Sequence, residues 1–151
     1  MYALLSPSYA GLPPFLSPQA GLGSGLMITQ YTAAALVNEC QVLSHPAGAG
    51  SIPTSAGTED FNSMGALAAL KARDVADRAA HVVAIELVCA CQGLEFHRPL
   101  RTTPALERAL EQVRELVPRL EEDRSLAAEL ANLAAALRTG SLVFTTPEVE
   151  W

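Results

Sequence analysis

A chain of 151 residues is long enough for one domain with its own core. Half of it is hydrophobic yet only 5% is aromatic, so Ala, Leu and Val dominate, which suits close-packed helices and calls for burial against more protein. A net charge of −6 without any basic stripe excludes a nucleic-acid partner, because nothing would displace the counterions of a phosphate backbone.

In chain order, residues 1–23 read as an irregular lead-in, broken by Pro7, Pro13, Pro14 and Pro18 and by Gly21 and Gly23. They carry no basic n-region and do not read as a signal peptide. Ser24 is a natural N-cap for a helix over 24–43, on which Leu26, Met27, Gln30, Tyr31, Ala34, Val37 and Cys40 recur at helical spacing. Gly-Leu-Gly-Ser-Gly at 21–25 is no nucleotide loop, since no strand precedes it and neither phosphate-binding spacing is met. His45-Pro46 stops this helix, and Gly, Pro and Ser make 47–55 a loop.

A second pattern runs unbroken over 58–93, with no proline between Pro53 and Pro99. Thr58 fits its N-cap, and Glu59 and Asp60 put negative charge on its first turn, where the macrodipole favours it. Over 79–91 the segment is apolar nearly all round, the mark of a helix buried on every side. Its most apolar window, 82–91, is too short, and too interrupted by Glu86, to cross a bilayer. Thr103-Pro104 opens a third helix, with Leu106, Leu110, Val113 and Val117 on one stripe and Pro118 ending or kinking it. Asp123 caps a fourth, with Leu126, Leu130, Leu133 and Leu137 on one face and Gly140 at its end. Only 142–146 could form a strand, so the fold class is all-α. The chain divides into the lead-in 1–23, a helical segment 24–142 and a tail 143–151.

Self-contained chemistry is scarce. His45, His81 and His97 lie on three elements with no second ligand at i+4, so no metal is expected. Cys40, Cys89 and Cys91 form neither a disulfide framework nor a Cys-x-x-Cys site and are expected to be buried and reduced. Glu86, inside the apolar stretch, needs an arginine partner in the assembly or a place at the helix edge. The remaining candidate is 51–64, a polar loop delivering Glu59 and Asp60 to the start of a long helix. It reads either as a helix start or as a binding site in which backbone N–H groups orient a carboxylate.

Ser-Ile-Pro-Thr-Ser-Ala at 51–56, Glu-Asp at 59–60 and Ser-Met-Gly at 63–65 resemble the signature of the aromatic amino-acid ammonia-lyases, in particular the histidine-specific members. The likeness extends to Gly-Leu-Pro-Pro-Phe-Leu (11–16), Ser-Gly-Leu-Met-Ile-Thr-Gln-Tyr-Thr-Ala-Ala-Ala-Leu-Val (24–37) and His-Pro-Ala (45–47). It continues through Ala-Ile-Glu-Leu (84–87), Ala-Cys-Gln-Gly (90–93) and Glu-Glu-Asp-Arg (121–124), so it covers roughly 4–142. In the family, Asn-Gln usually stands where this chain has Gly57-Thr58.

The resemblance implies the long-helix bundle of the aspartase-like fold and a cytoplasmic homotetramer with active sites shared among subunits. It implies elimination of ammonia from a small-molecule amino acid, L-histidine giving urocanate, with no metal, membrane or nucleic acid involved. The electrophile would be a 4-methylidene-imidazol-5-one made from an Ala-Ser-Gly tripeptide. No Ala-Ser-Gly occurs here, and neither Tyr2, Tyr9 nor Tyr31 matches the family's catalytic tyrosine loop. The chain therefore reads as a C-terminal portion that is inactive without an N-terminal half or subunit. Glu59 is the catalytic and substrate-binding residue the resemblance implies, a carboxylate suited to an imidazole N–H or a departing ammonium. Thr58 and Ser55 flank it as substrate-binding candidates. The alternatives are a sibling phenylalanine or tyrosine lyase or aminomutase, and a non-catalytic helical assembly protein of the same descent.

Overall fold

In the computed structural model, which describes residues 1–19, 21–142 and 144, one long helix is the axis against which the other elements pack. This is α4, Gly65–Glu95, 31 residues without a break. Before it come α1 (Tyr2–Leu5), α2 (Pro7–Ala10) and α3 (Met27–Leu43); after it come α5 (Pro104–Leu116) and α6 (Ala127–Thr139). Among the described residues there is no strand; an isolated antiparallel bridge joins Thr54 and Glu59. Of the possible strand at 142–146, residues 143, 145 and 146 lie outside the described residues. No helix among the described residues is long and apolar enough to cross a membrane.

The centre of the core is the C-terminal half of α4. Ala84, Ile85, Val88, Cys89 and Cys91 are buried there against Ala33 of α3, Val113 of α5, Leu133 and Ala134 of α6, and Leu5, Leu12 and Leu16 of the lead-in. The lead-in is thus less irregular than expected: two single-turn helices and a 3-10 turn, Pro14–Leu16, fold its leucines onto α4. Gln92 is fully buried and fully bonded. Its Nε2 donates to the carbonyls of Leu16 (3.3 Å) and Leu120 (2.9 Å), and its Oε1 accepts from Leu120 N (3.2 Å) and Arg114 Nη2 (3.3 Å). That is the full capacity of a primary amide.

Three helix starts differ from expectation. Helix α4 begins at Gly65 rather than at 58, because Phe61 has a positive φ of +34° and cannot continue a right-handed helix. Helix α3 begins at Met27, and Ser24 does not cap it. Asp123 does not cap α6, which starts at Ala127. Instead the Asp123 carboxylate accepts the backbone N–H groups of Ser24 (2.7 Å) and Gly25 (2.9 Å). Gly25 has φ +54°, and a Cβ there would stand 2.6 Å from the Phe15 carbonyl, so only glycine fits this crossing. Those two backbone bonds hold Asp123 below its ordinary value.

Other expectations hold. Thr103 caps α5 through its side chain, with Pro104 at the first helical position. The chain leaves α5 at Val117 in an extended conformation, as a residue before proline favours. Gly140 closes α6 in the left-handed conformation. On α5 the inward stripe keeps Leu110 and Val113, but Leu106 is exposed and Glu107 faces inward in its place. Glu86 stands exposed at the edge of α4, one of the two places expected for it, 3.4 Å from the Met1 amino group.

Candidate functional site

Residues 51–64 form a closed loop ahead of α4. Thr54 and Glu59 exchange backbone hydrogen bonds, Thr54 N to Glu59 O at 2.8 Å and Glu59 N to Thr54 O at 3.3 Å. The 3-10 turn Ser55–Gly57 spans the gap, with Gly57 N donating to Thr54 O at 3.0 Å and Thr58 N to Ser55 O at 3.1 Å. Asn62 draws the far end of the loop back. Its Nδ2 donates to Ile52 O at 2.8 Å and to Thr54 Oγ1 at 3.0 Å.

The three residues singled out from sequence all sit on this loop and are all exposed. Glu59 is not on the first turn of a helix, contrary to expectation. The Thr54–Glu59 bridge holds its backbone, and its Oε2 accepts the Thr54 hydroxyl at 3.2 Å. Thr58 likewise caps no helix: its hydroxyl donates to the Ser55 carbonyl, so these two residues meet through a turn. That bond engages the one proton of the Thr58 hydroxyl. Beside the loop lies an open cleft of about 440 Å³ lined by Gly50, Ser51, Phe61, Asn62, Ser63 and Met64 among others. Phe61, at φ +34°, is 92% exposed at its edge.

Thr54 and Asn62 are partners of this loop that sequence reasoning passed over. Thr54 stands inside the 51–56 signature, and Asn62 lies three residues before the start of α4. Only loop closure brings them to Glu59.

Other reactive side chains have no such arrangement. Burial pushes the Cys89 thiol up to about 11 and raises Cys91 as well, so neither is an ionised nucleophile near neutrality. His81 Nδ1 lies 2.9 Å from the Asp77 carbonyl one helical turn back. Among the described residues no three His, Cys, Asp or Glu side chains gather as a metal cage. Two ion-pair knots are structural in position. Arg114 grips Glu95 in a bidentate pair (2.9 and 3.0 Å), and Arg98 grips Glu107 in another (2.9 and 2.8 Å).

Residues 1–115 match the family model described as "Aromatic amino acid lyase". The histidine ammonia-lyase of Symbiobacterium thermophilum is 51% identical over 140 residues, 93% of this chain and 28% of that protein. The crystal structure of histidine ammonia-lyase from Trypanosoma cruzi superposes with a TM-score of 0.89 at 45% identity, over 93% of this chain and 28% of that one. Tyrosine aminomutase from Streptomyces globisporus superposes with a TM-score of 0.88 at 35% identity, over 93% and 27%. The chain therefore spans little more than a quarter of the proteins it matches.

Proposed function

The chain belongs to the aromatic amino acid lyase family, and from that premise we propose that it is the C-terminal portion of a histidine ammonia-lyase, eliminating ammonia from L-histidine to give urocanate. The observation that carries the substrate assignment is the gradient of likeness. Identity is 45–51% to histidine lyases and 35% to the tyrosine aminomutase, although the backbones fit equally well. Glu59 is the group through which this portion acts. Its carboxylate accepts the imidazole N–H or the departing ammonium in a charge-assisted bond, for which a glutamine has no equivalent. Ser55 and Thr58 shape the turn that presents it.

The family's 4-methylidene-imidazol-5-one has no source in this chain. Ser55-Ala56-Gly57 has the right residue types in the wrong order: the middle residue lacks the hydroxyl whose loss would leave a methylidene. The Gly57 nitrogen is also engaged with the Thr54 carbonyl. The residues present do not fit that group. The active unit then needs the upstream portion of the enzyme, as a cytoplasmic homotetramer with shared sites.

The test is Glu59→Gln in a complete lyase carrying this segment. Turnover of histidine is expected to fall at least about tenfold, the loss of one charge-assisted contact. Stability should stay within about 0.5 kcal/mol, because Glu59 is an exposed loop residue. Equal deamination by variant and parent removes Glu59 from the site. Turnover of tyrosine or phenylalanine in place of histidine moves the assignment to a sibling enzyme.

A further inference from the structure

The hydrogen bonds around Glu59 have a direction. The Asn62 amide nitrogen can only donate, and both its protons have acceptors, the Ile52 carbonyl at 2.8 Å and Thr54 Oγ1 at 3.0 Å. Turning the amide over would set its oxygen against the Ile52 carbonyl, two acceptors face to face, so one orientation stands. The Thr54 hydroxyl therefore accepts from Asn62 and keeps its single proton for another partner. That partner is Glu59 Oε2, 3.2 Å away. The backbone supports the same geometry: residues that exchange both hydrogen bonds across an antiparallel bridge carry their side chains on one face, here Thr54 beside Glu59.

We propose that Thr54 and Asn62 are positioning residues for Glu59, forming a one-way relay from Asn62 through the Thr54 hydroxyl to Oε2 that leaves Oε1 to receive the substrate's imidazole N–H or ammonium. The inference rests on Glu59 as the substrate-facing carboxylate. It adds that the carboxylate is aimed by two side chains acting through it. Among the described residues Oε1 takes no hydrogen bond, so the relay loads one oxygen and spares the other. A free carboxylate on an exposed loop would rotate and offer either oxygen. A held one presents a single acceptor in a fixed plane, and misplacement of a reacting group by about 1 Å costs on the order of a hundredfold in rate.

The experiment has two readouts. In a histidine ammonia-lyase whose matching quarter is replaced by residues 1–142 of this chain, kcat and KM are measured for Glu59→Gln, Thr54→Val, Thr54→Ser and Asn62→Leu. Thr54→Val, nearly isosteric, is expected to lower kcat about tenfold or more with KM within about threefold. Thr54→Ser, which keeps the hydroxyl, should stay within about threefold of the parent in both. Asn62→Leu should lower kcat, and adding it to Thr54→Val should cost nothing more, since both break one relay. On the 15N-labelled 151-residue chain, the Asn62 side-chain amide protons should be shifted from free-amide positions, and Thr54→Val should return one of them. An impaired Glu59→Gln beside an unchanged Thr54→Val would overturn the relay and leave the reading of Glu59 standing; so would Thr54→Ser failing like Thr54→Val, or free-amide Asn62 signals in the parent. A silent Glu59→Gln would overturn both.

Discussion

Glu107 holds its charge among four donors: Arg98 through both terminal nitrogens, Arg101 at 3.3 Å and the Thr102 N–H at 2.9 Å. The Arg98 hydrogen bonds come first in keeping its carboxyl at about 2, the Thr102 N–H second, with the charges of Arg98 and Arg101 behind them. A carboxyl lower in the folded state than in the unfolded one stabilises the fold above its ordinary value of 4.5; that contribution drains away as pH falls towards 2. Glu107→Gln should therefore melt several degrees below the parent at pH 7, and the gap should close near pH 2. Thermal melts of both proteins across that range check it, and a gap that persists at pH 2 would mean the loss was one of packing. Gln92 is a neutral counterpart. Gln92→Leu keeps the volume but strands the Leu16 and Leu120 carbonyls and the Leu120 N–H in the core. Leaving such a group unsatisfied costs about 1–3 kcal/mol, and with several stranded together the upper end is expected in urea denaturation.

Elements meet here through contacts that sequence spacing does not reveal. Ser24 and Asp123 both look like N-caps, yet they find each other across 99 positions, tying the approach to α3 onto the approach to α6. Asp123→Ala should speed amide exchange at Ser24 and Gly25 and leave the centre of α4, around Val88, as protected as before; unchanged protection at Ser24 would show that the clasp contributes nothing. Thr103 was legible as a cap because donor and acceptor lie three residues apart. The extent of α4 was legible at its C-terminal end and through its middle, where no residue breaks the pattern. Its start was not, because Phe61 adopts positive φ without being glycine, and no propensity announces that. Leu106 and Glu107 reversed roles on α5 because Arg98, Arg101 and Thr102 gather on the inner side. Glu59 could be picked out through the signature it belongs to. Its partners Thr54 and Asn62 could not, since their meeting depends on how the loop closes.

At the scale of the molecule, the segment 79–91 was expected to be covered on all sides, and within this chain it is not. Ala84, Ile85, Val88, Cys89 and Cys91 are inside, while Val83 is 44% exposed. Toward the other end of α4, Leu67 and Leu70 are about half exposed. Ile28, Tyr31, Val37 and Val42 on α3, with Ile52 and Phe61 on the loop, bring the exposed large apolar side chains between 28 and 83 to nine. Apolar patches above a few hundred Å² normally mark interfaces or cause aggregation. The loop that carries Glu59 contributes two of these side chains, Ile52 and Phe61. The purified chain should accordingly self-associate in sedimentation velocity and form no urocanate from histidine. Mixed with the upstream portion of a histidine ammonia-lyase, one that contains an Ala-Ser-Gly tripeptide, it should gain a defined mass and activity together. Urocanate produced by the chain alone would show that it holds an electrophile of its own. A stable monomer would show that these nine side chains tolerate water, and that the burial expected of the long helix is not what holds the assembly together.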